Sequence, residues 1–189
     1  MDLSGKLLIA MPGMGDPRFE GSVILLCSYS GEGAMGLIIN RQVPGLRLHG
    51  LLAHTGIAAD CLGRDDPVHS GGPVERGRGF VLHSGDWAAP GDETMRVPGN
   101  VTGGLWMTRS RSMLEALATG GGPEHLIVAL GYSGWGAGQL DAEIARNTWL
   151  TADVDETVVF GTQCDAKWSA SLRGLGIEPL ALSPVAGRA

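Results

Sequence analysis

Four glycines, a tyrosine, a serine, a tryptophan and a glutamine fall within nine residues, Gly131-Tyr132-Ser133-Gly134-Trp135-Gly136-Ala137-Gly138-Gln139. An apolar run precedes them at residues 126–130, and a helix-like segment follows at residues 140–147. A strand, a glycine turn and a helix start together form a common setting for nucleophiles and bound anions. Three chemistries can be tested against this spacing. A nucleophile elbow needs G-x-S-x-G, and Trp135 occupies the fifth position; in that hydrolase class the catalytic His also follows the Ser, whereas the last histidine is His125. A dinucleotide loop needs G-x-G-x-x-G, and Gln139 stands where the third glycine is required. No Gly-Lys-Ser/Thr triplet exists, so there is no P-loop. What remains is anion capture by N–H groups of residues 136–139 at a helix start, or tight strand–helix packing with Trp135 filling the core.

The other chemistry-bearing residues are scattered. His49, His54, His69, His83 and His125 show no metal-ligand spacing. His83 ends an apolar run and suits a core or rim position. Asp16, Arg18, Asn40 and Arg41 lie in loops beside apolar strands, where they act as local caps or converge at one sheet end. Asp141, Glu143 and Arg146 follow the glycine segment, with Glu143 and Arg146 spaced for an i, i+3 pair on a solvated face. Cys27, Cys61 and Cys164 are far apart and form no C-x-x-C, which argues against a zinc site and for a reducing cytoplasm.

Composition narrows the classes further. The chain of 189 residues is long enough for one domain with a sizeable core. A net charge of −6, with Lys6 and Lys167 the only lysines and Arg109-x-Arg111 the nearest approach to a basic cluster, argues against direct nucleic-acid binding. The apolar run at residues 7–11 is shorter than a signal peptide needs, and no run reaches the ~20 residues of a membrane span. No cofactor signature is present, and none is expected.

The elements that must position these groups follow from pattern. Strands are expected at residues 6–10, 22–28, 34–40, 68–74, 78–83, 93–97, 100–108, 126–130, 149–154 and 177–182. The second and third form a hairpin around Gly31-Glu32-Gly33. Helices are expected at residues 46–53, 110–118 (stripe Met113, Leu114, Leu117, ended by Gly120-Gly121-Gly122) and 164–175. Residues 60–67 suit a surface loop, and residues 183–189 a loose tail after a single domain over residues 1–182. Many strands joined by turns, with few helices, make this an α+β chain with a mixed or antiparallel sheet.

These motifs, taken together, resemble the bacterial YqgE/AlgH family. The matching stretches are Leu8-Ile9-Ala10-Met11-Pro12 with Asp16-Pro17-x-Phe19; Gly36-Leu37-Ile38-Ile39-Asn40-Arg41; Gly71-Gly72-Pro73-Val74 with Arg78-Gly79-Phe80-Val81-Leu82-His83; and residues 130–140 with Glu143-Ile144 and Asn147-x-Trp149-Leu150. The resemblance implies a coiled, bifurcated sheet, part of it barrel-like, flanked by a few helices. It implies no reaction; members are often labelled transcriptional regulators by association with alginate control, and no catalytic residue is carried over.

The expectation is a non-catalytic cytoplasmic regulatory protein that binds an unknown small ligand or a protein partner. Its site would gather Asp16, Asn40, Arg41, Gly71, Gly72, His83, Trp135, Gln139 and Asn147 at one sheet end. Trp135 would give apolar contact, Gln139 and Asn147 hydrogen bonds, and Arg41 a partner for an anion. The competing expectations are an enzyme of unrecognised type, hydrolytic chemistry included, using His83 or His69 with Asp16 or Asp86, and a DNA-binding regulator.

Overall fold

Residues 23–27 are apolar without a break, and a strand of that kind must be covered on both faces. The computed structural model, which describes residues 2–59, 63–88, 94–99 and 101–182, shows how. Strands β1 (Lys6–Ala10) and β2 (Val23–Ser30) send Leu7, Val23, Leu25 and Cys27 into one core and Leu8, Ala10, Ile24 and Leu26 into another. The period-2 alternation of side chains therefore feeds two apolar layers rather than one core and solvent.

The remaining strands are β3 (Gly33–Ile38), β4 (Gln42–Arg47), β5 (Pro67–Ser70), β6 (Val74–Ser84), β7 (Thr94–Val97), β8 (Leu105–Thr108), β9 (Leu126–Gly136) and β10 (Trp149–Asp153). They form one sheet in the order β10-β1-β2-β3-β9-β6-β8-β7, with β4 and β5 branching from β9. The pairs are antiparallel except β5 with β9. The sheet curls into a half-barrel around the core made by Leu25, Leu37, Phe80, Leu82, Met107 and Ile127. At its open side the carbonyl of Pro98, after β7, lies against Gly5, before β1, and leaves no room for a Cβ there. Helices α1 (Leu48–His54) and α2 (Arg111–Ala118) cover a third core, and α3 (Gln139–Ala145) closes the second. A π-turn at Thr157–Gly161 and α4 (Cys164–Gly174) close the half-barrel core. No helix among the described residues is long and apolar enough to cross a membrane.

The bifurcation lies on β9. Along one edge, Val128 to Leu130 pair with β5, and Ser133 to Gly136 pair with β3. The switch is at Gly131, whose φ of 71° bends the strand into a region costly for any residue with a Cβ. Gly71 fills the fork: its N–H donates to the Leu130 carbonyl at 2.8 Å, and its carbonyl accepts from Ile38 N–H at 2.9 Å.

Several expectations change. Residues 131–136 are strand, not a turn, because Gly131 lets β9 continue past the fork; only Ala137 and Gly138 turn, and Gly138 takes φ 69° as the cap of α3. β4 was hidden by Pro44 and Gly45, which break an edge strand's pattern without abolishing it. Residues 177–182 are not a strand: Pro179–Leu182 is a short 3-10 helix, since Pro179 withholds a ladder donor. The strand expected over residues 100–108 begins only at Leu105, after Gly103 and Gly104 with positive φ. Glu93, Asn100, Cys61 and the tail at residues 183–189 lie outside the described residues.

Candidate functional site

Beyond the fork, β9 delivers Trp135 to the second core, where it packs with Phe19 and Trp149. Phe19 stacks on Trp135 at a ring separation of 6.5 Å and meets Trp149 edge-on at 5.7 Å. Buried indole nitrogens need acceptors, and Glu143 of α3 supplies them. Its Oε2 accepts from Trp135 Nε1 at 2.9 Å and from Trp149 Nε1 at 2.8 Å. Its Oε1 accepts from Gln139 Nε2 at 2.9 Å, and Gln139 Oε1 caps the N–H of Gly136 at 3.1 Å. The expected surface pair of Glu143 with Arg146 does not form, because the carboxylate turns inward to the two indoles.

The loop between β1 and β2 is clamped over this cluster. Asn40 Oδ1 accepts from Val23 N–H and its Nδ2 donates to the Gly21 carbonyl. Arg41 donates to the carbonyls of Arg18 and Glu20. Asp16 forms a bidentate pair with Arg18, which holds its carboxyl below the usual carboxylate range. Between this loop, the aromatic residues and α3 lies a cleft of about 430 Å³ lined by Asp16, Phe19, Trp135, Glu143, Arg146 and Trp149, among others. Beside it, and sharing Arg18 and Pro73, is a smaller cavity of about 130 Å³ where Arg41 and Arg76 join Arg18. Among the described residues Arg76 and Arg146 make no ion pair.

Asp16, Trp135 and Gln139 thus line one cleft, and Arg41 and Gly72 line the cavity next to it. Their roles differ from those expected. Gln139 has spent its amide on Gly136 and Glu143, and Asn40 and Arg41 hold the loop. Gly71 and Gly72 serve the fork: a Cβ on Gly71 would strike the Gly131 carbonyl, and one on Gly72, at φ 155°, would strike the Tyr132 backbone. Asn147 lies at the exit of α3 with φ 56° and does not line the cleft. A left-handed residue ends a helix, and asparagine tolerates that conformation.

His83 is not at this end at all. It is fully buried on β6, with Nε2 2.9 Å from Thr108 Oγ1 and Nδ1 2.8 Å from the Ser84 carbonyl oxygen. Burial pushes its pKa down. His69 points at Cys164, 3.2 Å from Nε2 to Sγ. Neither histidine hydrogen-bonds a carboxylate; Asp86 pairs with Ser84 and the Glu124 N–H instead. The expected pairing of His83 or His69 with Asp16 or Asp86 is therefore not formed.

Sequence reasoning passed over Glu143, Phe19 and Arg76 as site residues. Only Glu143 carried a usable signal: a carboxylate on the helix between two tryptophans that both need acceptors. Phe19 and Arg76 are recruited by the fork and the loop fold, which no spacing rule reveals.

A half-barrel sheet with a forked central strand, whose far arm builds an aromatic cleft under a clamped loop, defines an α+β protein of the half-barrel kind. The chain belongs to the AlgH-like family, DUF179, whose model matches residues 7–180. It is 53% identical over 189 residues to a UPF0301 protein of Cereibacter sphaeroides, with 100% of both chains covered. A UPF0301 protein of Paracoccus denitrificans is 52% identical, over 100% of this chain and 97% of the relative. The solution structure of the AlgH protein from Pseudomonas aeruginosa superimposes with a TM-score of 0.76 at 37% identity, over 100% of this chain and 95% of that one. A protein of Corynebacterium diphtheriae, 20% identical with a TM-score of 0.71 over 100% and 93% of the two chains, shares the fold.

Proposed function

We infer that this is a non-catalytic regulatory protein of the cytoplasm that binds a small anionic, ring-bearing metabolite in the cleft beyond the fork. One observation carries the reading. Arg18, Arg41 and Arg76 line a small cavity that shares Arg18 and Pro73 with the lining of an aromatic cleft, in a chain whose net charge is −6. Guanidinium groups recognise phosphate and carboxylate by paired donors, and aromatic walls take planar rings. The anion would sit on Arg76 and on the guanidinium donors that Arg18 and Arg41 do not use on Asp16 and the loop carbonyls, and the ring against Phe19 and Trp149, with Arg146 at the rim. The acidic balance elsewhere disfavours nucleic acid and makes the arginine cluster a local exception.

The test is thermal-shift titration with pyrophosphate and with nucleoside mono- and diphosphates, repeated on Arg76→Ala and Arg146→Ala, whose side chains are exposed and make no ion pair among the described residues. Saturable stabilisation of the wild type, lost in Arg76→Ala, is expected. At a ligand concentration of 100 Kd the gain is about 2.7 kcal/mol. No stabilisation by any of these anions overturns the reading in favour of a protein partner on the same arginines.

A further inference from the structure

β5 and the start of α4 meet around a further cavity of about 190 Å³, lined by Gln42, His69, Phe160, Thr162, Cys164 and Lys167, among others. Cys164 is the first residue of α4, so its sulfur lies at the positive end of an 11-residue helix. Besides the 3.2 Å approach of His69 Nε2, Gln42 Nε2 donates to the sulfur at 3.5 Å. With Nε2 accepting from the thiol, the ring hydrogen is on Nδ1, which is buried and makes no well-formed hydrogen bond, although the backbone of Val128 and Pro67 lies near. Lys167, one turn on, is 3% exposed and donates to the carbonyls of Val158 and Val159, the latter a close contact. A thiol, an imidazole in contact with it, a helix N-terminus and a buried ammonium around one small cavity are the parts of an activated cysteine.

We propose that Cys164 is a peroxide-reactive thiol, oxidised to the sulfenic acid by hydrogen peroxide admitted to this cavity, with His69 as its base. The Sγ–H proton passes to His69 Nε2, and a sulfur lone pair attacks one peroxide oxygen. The O–O bond breaks, and the departing hydroxide takes the proton back from His69 and leaves as water. Sulfur loses two electrons to the peroxide, giving Cys–SOH and water. Lys167, bonded to the Val158 and Val159 carbonyls, acts on the sulfur electrostatically, and burial pushes its own pKa down to about 8. Asp165 on α4 and Asp66 before β5 oppose it at longer range, and Asp66 is paired with Arg64.

Burial raises the pKa of the thiol and lowers that of the imidazole, and Lys167 pulls the thiol back down. The resting pair is therefore neutral, and reactivity depends on proton transfer to His69 rather than on a standing thiolate. The pH profile distinguishes the two. A lone thiol loses reactivity about tenfold per pH unit below its pKa, whereas a base-assisted pair holds a plateau down to the imidazole pKa.

The experiment is peptide-resolved mass spectrometry of the folded protein after iodoacetamide or after hydrogen peroxide with dimedone, so that each cysteine is scored separately. Cys27 is the internal control, being fully buried with a thiol pushed up to about 12. Expected are dimedone labelling at Cys164, none at Cys27, a rate plateau across pH 6.5–8, and a loss of about tenfold in alkylation rate at pH 7 in His69→Gln. If that variant does not fold, the wild-type profile decides. A wild-type rate that falls a full decade per pH unit across this range overturns the proposal, as does an unmodified Cys164 after peroxide treatment.

Discussion

The carboxylate of Glu143 lies 2.9 Å from the indole nitrogen of Trp135, eight residues before it in sequence. The same oxygen takes the indole of Trp149, so one helix side chain ties the far arm of β9 to the first residue of β10. Replacing it by alanine leaves two buried N–H donors without an acceptor. Glu143→Ala is expected to cost about 2–4 kcal/mol, read as a fall in Tm of roughly 5–12 °C. Glu143→Gln keeps one acceptor and should lose about half as much. Equal Tm values for Ala and wild type would show that the two indoles are satisfied by water.

The fork permits no side chain at its tightest point. A methyl group at Gly72 would overlap the Tyr132 carbonyl group at a φ of 155° that L residues avoid. Gly72→Ala is therefore expected to cost more than about 4 kcal/mol, in the exceptional range for a point change. Gly138→Ala, at a positive φ in open space, should cost only about 1 kcal/mol. The ratio of their urea midpoint shifts checks this.

Arg41 holds the loop over the aromatic cleft through two carbonyls and makes no ion pair among the described residues. In Arg41→Ala, amide exchange should accelerate across residues 14–21 while the strand amides of β2 and β3 keep their protection. Uniform acceleration through β2 would mean that the loop and the sheet open as one unit.

Acid sensitivity should come first from the histidines. Burial holds the pKa of both His69 and His83 below the ordinary 6.5. Between the folded and unfolded values the unfolded chain binds more protons, so stability is full above about pH 6.5 and falls as pH drops through it. Asp16 and Asp86 are shifted down and lose their contribution only at lower pH, near and below the ordinary carboxylate value. Urea midpoints should fall from pH 7 to pH 5, and His69→Gln should flatten part of that slope. A midpoint constant over this window would mean that neither ring resists protonation.

Local pattern carried much of the architecture. The unbroken apolar residues 23–27 required a strand covered on both faces, the stripe of Met113, Leu114 and Leu117 marked α2, and the hairpin around residues 31–32 formed where its glycines allow. The family motifs already implied a bifurcated, partly barrel-like sheet. The same local logic misplaced the end of β9, since a glycine with positive φ marks a turn in most chains and here bends a strand that continues. It also turned Glu143 to solvent, because i, i+3 spacing with Arg146 says nothing about an indole eight residues upstream.

The sequence by itself determined the fold class, the main strands and helices, and the unsuitability of residues 131–139 for an elbow or a dinucleotide loop, because these depend on periodicity and fixed spacing. Tertiary structure alone decided that this segment is the forked arm of β9, that Asn40, Arg41 and Gln139 are consumed in holding a loop and a helix, and that Arg76 meets Arg18 and His69 meets Cys164. Those pairs are 58 and 95 residues apart in the chain. The closing of a long loop is set by which strands share an edge, and edge sharing is a property of the whole sheet.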